Sequence, residues 1–128
     1  MDLSEKVLRL KPAAMAAEEW SVRLELAACY RAFDWMGWTE LIYNHITARV
    51  PGPQRHYLIN PYGLWYNEVT ASNLVKVNIA GETVDGSKYP VNRAGFVIHS
   101  AIKGTGGKQG ARTSEAHNKK SARCGRFC

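Results

Sequence analysis

Cysteine is scarce in this 128-residue chain, with three thiols at Cys29, Cys124 and Cys128. Cys29 falls inside an apolar helical pattern and reads as a reduced core thiol. Cys124 and Cys128 form a lone C-x-x-x-C without the second ligand pair that structural zinc sites use, which argues against a metal there. Long apolar runs are also missing. None reaches the roughly 20 residues that span a bilayer, and no basic start followed by an apolar stretch marks a leading signal. Cytoplasm is the expected compartment, with no membrane partner. A third absence is local: after Ile102 there is no Leu, Ile, Val or Met. The last part of the chain has almost nothing with which to build a core.

What the chain does have is enough apolar residues over positions 16–102 for a small core. The net charge of +6 invites an anionic partner, but its location weakens that idea. Residues 1–102 hold ten Lys or Arg and ten Asp or Glu, so the whole excess sits in residues 103–128. There, seven basic side chains face Glu115 alone. This segment is rich in Gly, Lys, Arg and Ser, a composition that favours disorder. Seven cations attract nucleic acid or anionic surfaces at low salt. Phe127 is the only aromatic among them, so stacking on bases is not expected and nucleic acid is not the expected partner.

The clearest element covers residues 16–37. Val22, Leu26, Cys29, Tyr30, Phe33 and Met36 recur at helical spacing, Glu18 and Glu19 suit the start of the helix dipole, and Gly37 suits its stop. Strands are expected from about His45 to Val50, ended by Pro51-Gly52-Pro53, and from His56 to Asn60. A Pro-Gly turn follows at residues 61–64. Thr70 or Ser72 is expected to cap a short turn before a third strand from Leu74 to Ile79. Val84 is expected to begin a short return strand. A last helix begins near Ala94, with Ala94, Val97, Ile98, Ala101 and Ile102 as its packing stripe and His99 on its solvated side. The order of helix, strand meander and helix predicts an α/β fold with a mostly antiparallel sheet. It divides the chain into a mobile arm or short docking helix at 1–15, a folded part at 16–102 and a disordered tail at 103–128.

The runs LELAACYRAFDWMGWTELIYNHITARVPG, HYLINPYGLWYNEVTASNLVKVNIAGE and YPVNRAGFVIHSAI lie in order between about Glu19 and Ile102. Together they resemble the class II aldolase/adducin superfamily, and more narrowly its adducin-like bacterial branch. The resemblance implies the N-terminal part of an α/β/α sandwich, incomplete here, and homotetrameric assembly in intact members. Aldolase members hold zinc with three histidines and use it as a Lewis acid in retro-aldol cleavage or epimerisation of sugar phosphates. Adducin-type members keep the fold but act in protein assembly, at the junction of actin and spectrin.

Carried over residue by residue, the motif Gly-Asn-x-Ser-x-Arg falls on Asn44 to Arg49. His45 takes the phosphate-binding Asn position, while Thr47 and Arg49 keep the other polar places. The Thr-Pro-x-Gly turn falls on Asn60 to Gly63, which puts Tyr62 and Gly63 at its phosphate-facing backbone. The Ser-Ser-Glu of active aldolases falls on Val91, Asn92 and Arg93, so Asn92 keeps a polar group but Arg93 replaces the acid/base carboxylate. His45, Thr47, Tyr62, Gly63, Asn92 and Arg93 are thus the candidate remnant anion site. Each also has a plainer role: His45 as a loop histidine, Tyr62 with Trp65 and Tyr66 as packing under the turn, and Arg93 as a surface ion-pair partner. Glu68 reads as a solvated turn residue.

The zinc pair His-x-His is expected about twenty residues past His99, and a third histidine later. His117 stands there alone, in EAHNKK. No metal ligands and no cofactor are therefore expected in this chain. The abrupt change at residue 103 reads as a segment foreign to the family, as a reading-frame shift or a fused end produces. The expected function is a non-catalytic aldolase/adducin-like domain that retains association with itself or with an intact family subunit. The open sheet edge and one-sided core that the missing part leaves predict marginal stability. The alternatives are a zinc lyase or epimerase completed by another chain, and a basic tail acting as an anion-binding arm.

Overall fold

The computed structural model describes Asp2, Glu5, residues 10–95, residues 97–99 and Ala101. The expected tail at 103–128 and most of the expected arm at 1–15 lie outside these residues.

Helix α1 spans Ala17–Trp35 and buries Val22, Leu26 and Tyr30 along one stripe, as helical spacing predicts. Cys29 is only half-buried; burial raises its thiol pKa, with Glu25 adding to the effect. The helix ends in a full Schellman motif. Gly37 adopts φ +71, its N–H donates to the Asp34 carbonyl, and the Trp38 N–H donates to Phe33. The accompanying hydrophobic contact is a stack of Phe33 on Trp38 with centroids 5.6 Å apart.

Three short antiparallel strands follow: β1 at Ala48–Arg49, β2 at Tyr57–Ile59 and β3 at Val75–Val77, in that spatial order. They occupy the centres of the three longer runs predicted from sequence. Register explains how the two faces divide. Ala48 pairs with Leu58 and Leu58 with Lys76, so these three share the face that meets α1. Ala48 and Leu58 join Val22, Leu26, Tyr30, Tyr66, Val69 and Leu74 in the main core. Tyr57 and Ile59 pair with Val77 and Val75 on the opposite face, where Val91 packs against them. The return strand expected at Val84 is reduced to a single bridge between Val77 and Thr83. Asp85 explains the interruption: its Oδ2 accepts both the Lys76 N–H and an Arg23 N–H, so the chain turns toward α1 there.

Arg23 is the least expected buried residue. Its Nε donates to Glu19, Nη1 to the carbonyls of Ala71 and Leu74, and Nη2 to Asp85 at 3.0 Å. Lys76 Nζ adds a 2.8 Å contact to the second Glu19 oxygen. Four chain segments thus share one buried ionic cluster. Its members are matched, which is what allows charge inside a core.

Between β2 and β3 a 3₁₀ turn, Tyr66–Glu68, places Tyr66 edge-on to Tyr30 at 4.6 Å. Trp65 and Tyr62 are exposed, so of the three aromatics expected to pack under this turn only Tyr66 does. Glu68 is exposed but engaged, accepting the Trp65 N–H at 2.8 Å. Thr70 and Asn73 bond each other's backbone N–H reciprocally, which closes the turn before β3.

The last described stretch is helical at 93–95, 97–99 and 101. Its orientation reverses the expectation. Gly95 and His99, one turn apart, face inward, whereas Ala94, Val97, Ile98 and Ala101 are exposed. Glycine is the reason: without a side chain at residue 95 the helix backbone comes close to His45. Thr47 follows the strand alternation opposite to Ala48 and bonds His99, so this helical stretch lies across the sheet from α1. Helical segments therefore flank both faces of an antiparallel sheet, an α/β layer arrangement.

Candidate functional site

Three segments carry the candidate residues: the entry to β1, the turn after β2 and the start of the last helical stretch. Local chemistry sets each of them. Tyr30 reaches the first, its hydroxyl donating to the Ile46 carbonyl and accepting the Ile46 N–H at 2.7 Å. Asn60 Oδ1 lies 3.0 Å from the same hydroxyl. Burial raises the Tyr30 pKa far above the ordinary phenol value, partly offset by those hydrogen bonds. A neutral hydroxyl thus holds the β1 entry against the end of β2.

The turn after β2 closes with Leu64 N–H donating to Pro61. Gly63 adopts φ +96 at the turn position that wants glycine, with open space around it. The Tyr62 N–H donates to the Pro90 carbonyl at 2.9 Å, which ties the turn to the segment leading into the last helical stretch. There Asn92 acts as N-cap, its Oδ1 accepting the Ala94 N–H at 3.0 Å. Arg93 is exposed at the first helical position, where a helix dipole favours an anion over a cation.

The site therefore has an inner and an outer part. Tyr62, Gly63 and Arg93 are exposed, and Asn92 is half-buried with its carbonyl oxygen engaged in the cap. Thr47 is fully buried, its hydroxyl 2.9 Å from His99 Nδ1, so it braces the helical stretch from inside. His45 packs edge-to-face on His99 with ring centroids 4.6 Å apart, and its buried Nδ1 has no hydrogen-bond partner among the described residues. The placement of His99 corrects the expectation of a solvated residue: it is 8 % exposed. Gly95 completes this cluster; a Cβ there would lie 2.9 Å from the His45 ring. Sequence periodicity could not reveal it. The available signal was the glycine four residues before a histidine, a gap on one helix face that a ring can fill.

These residues do not fit a three-histidine zinc site. Among the described residues no three His, Cys, Asp or Glu side chains converge. The one imidazole pair that meets does so edge-to-face, with His99 Nδ1 already engaged by Thr47. His117 lies outside the described residues.

An antiparallel sheet between helical segments, with the β1 entry, the Pro-Gly turn and a capped helix start linked to one another, defines the protein's class. The profile of the Class II Aldolase and Adducin N-terminal domain matches residues 24–106. The chain belongs to this family. A Caulobacter vibrioides protein with a class 2 aldolase name is 52 % identical over 84 residues, which cover 66 % of this chain and 33 % of that protein. Rat alpha-adducin is 58 % identical over 83 residues, 63 % of this chain and 11 % of its own. The crystal structure of an aldolase II superfamily protein from Pseudomonas syringae aligns with TM-score 0.68 and 52 % identity, covering 71 % of this chain and 37 % of that one. The chain spans about a third of the length of the curated bacterial relatives it matches. Among the described residues no helix is long and apolar enough to cross a membrane.

Proposed function

We propose that this chain is a non-catalytic member of the family that works by associating with other subunits, in the cytoplasm. The reading is carried by Arg93, which the family resemblance puts at the place of the acid/base carboxylate of active aldolases. Its side chain is exposed. Guanidinium stays protonated and accepts no proton, so it cannot serve as the base for carbon–carbon cleavage. The rest of the remnant site keeps groups suited to an anion, the backbone of Gly63 and the side-chain amide of Asn92, while the Tyr62 N–H is taken by Pro90 and His45 and Thr47 brace the helical stretch. Rat alpha-adducin, 58 % identical over the shared segment, belongs to the branch for which the resemblance implies an assembly role.

The test is an aldol-cleavage assay of the purified chain on a panel of ketose 1-phosphates with zinc added, alongside its sedimentation behaviour. No cleavage above the protein-free control, together with concentration-dependent association, is expected. Turnover above that control would overturn the non-catalytic reading. A chain that stays monomeric at all concentrations would overturn the assembly reading.

A further inference from the structure

The hairpin of β1 and β2 has two ends, and the remnant site uses one of them. His45, Thr47 and Asn60 lie where β1 begins and β2 finishes. At the far end, where β1 finishes and β2 begins, Arg49, Arg55, His56, Tyr57 and Ile79 line a hollow open to solvent. Strand register brings its two arginines together. Arg49 pairs directly with Tyr57, and one pair further on the Val50 N–H donates to the His56 carbonyl at 3.0 Å. Arg55, two residues before Tyr57, is therefore the diagonal neighbour of Arg49 on the same face of the sheet. Such neighbours sit about 7–8 Å apart, within reach of long side chains.

The charge around the hollow is one-sided. Arg49 and Arg55 are both exposed. Residues 41–67 contain these two arginines and two histidines but no Asp or Glu. Among the described residues Arg49 forms no ion pair. Glu82, three residues after Ile79, is held by the Asn78 amide at 2.8 Å and does not line the hollow. Tyr57 adds no charge, since burial pushes its phenol up to about 12. Two fixed like charges side by side repel, and an anion seated between them relieves that repulsion. Residues 44–61 expose no large apolar side chain, so this corner lacks the apolar surface that marks a face awaiting a packing partner.

Size and charge select the ligand. The hollow encloses about 230 Å³, below the roughly 300–1,000 Å³ of a pocket for a whole small molecule, so it suits a head group. One guanidinium fork occupies both oxygens of a carboxylate. A phosphate group offers three terminal oxygens and a charge of roughly −1.5 to −2, enough to meet two forks. His56 has an N–H donor in either protonation state. We infer that Arg49 and Arg55, with His56 beside them, form an anion site for the head group of a phosphate monoester, at the opposite end of the hairpin from the remnant site. The inference is independent of the non-catalytic reading.

NMR of the arginine guanidinium groups in the isotope-labelled full chain tests it, with inorganic phosphate as the probe and sodium chloride holding ionic strength constant. Arg49→Gln and Arg55→Gln each assign a signal by its loss, and both side chains are exposed, so the fold tolerates the change. Arg112→Gln controls for the basic segment at 103–128, and the Arg93 signal reports on the remnant site separately. The Arg49 and Arg55 signals are expected to move along one saturable curve. Losing either arginine should weaken the response of the other by about tenfold or more, the effect of removing a charged hydrogen-bonding partner. Arg112→Gln should leave both responses unchanged, and acetate should bind about tenfold more weakly than phosphate. An Arg55 response that survives Arg49→Gln, or one that chloride alone reproduces, would overturn the site. Acetate binding as tightly as phosphate would overturn the ligand class.

Discussion

Gly95→Ala should destabilise the protein even though it improves the helix, and one further mutation should reverse the sign. In a helix interior, alanine is favoured over glycine by about 1 kcal/mol. Against that stands the added Cβ, 2.9 Å from Cε1 and Nε2 of His45 and 3.0 Å from Cδ2. Three ring atoms are approached at once, so no small rotation of the ring clears all of them. The ring cannot swing away without giving up its edge-to-face contact with His99, which Thr47 holds in turn. Overpacking of this kind costs about 1–3 kcal/mol, and the lost ring contact about 0.5–1.5 kcal/mol more. The net expectation is a loss of about 0.5–3.5 kcal/mol. Removing the ring removes the clash, so Gly95→Ala in a His45→Ala background should gain up to about 1 kcal/mol. The coupling in the double-mutant cycle is then about 1.5–4.5 kcal/mol, above the scatter of independent sites. Urea denaturation of the wild type, both single variants and the double variant measures it. Equal effects of Gly95→Ala in the two backgrounds would refute the argument, because they would mean that the helix does not seat on the ring.

Other outcomes follow from the same structure. Arg23→Met strands Glu19 and Asp85 without their guanidinium and should cost about 3–5 kcal/mol, read as a lowered melting temperature. Thr47→Val removes the bond to His99 and should cost about 1–3 kcal/mol in the same melt. Burial pushes Tyr57 and Tyr66 up to about 12, above the ordinary phenol value near 10. Between those values the unfolded chain loses phenolic protons that the folded chain keeps, so stability is intact below pH 10 and falls as pH rises toward 12. Tyrosinate absorbance near 295 nm should therefore show these phenols ionising together with loss of ellipticity. Ionisation of all six tyrosines near pH 10, with the fold intact, would contradict it.

Several of these features could be seen in the sequence, and the exceptions have physical causes. The Val22, Leu26 and Tyr30 stripe was legible because α1 meets the sheet along a continuous apolar face. Arg23 was not, since burial of a guanidinium depends on Ala71, Leu74 and Asp85, about 50–60 residues away, and no local pattern reports partners at that range. The strands were found at their centres but read too long, because the paired ladder covers only two or three residues of each apolar run. The last helical stretch was assigned the wrong inner face. Its apolar periodicity is real, yet contact is decided by the absence of a side chain at Gly95 and by a polar bond at His99. The turns at Gly37 and Gly63 were readable because positive φ there demands glycine. Of the candidate site, the positions came from the family resemblance, but the buried bracing by Thr47 and the His45–His99 pair did not, because side-chain direction emerges only with the register of β1.

The Arg23 fork also bears on how the polypeptide matures. Its four arms end on residues as far apart as Glu19 and Asp85, so the guanidinium is satisfied only when both ends of that span are present. During synthesis, α1 leaves the ribosome well before Asp85 does. In that interval Arg23 has only Glu19 of its four partners, and burying it before the others arrive is unfavourable. The domain should therefore lock shut late, in one step, when the 82–86 turn emerges and closes over the helix.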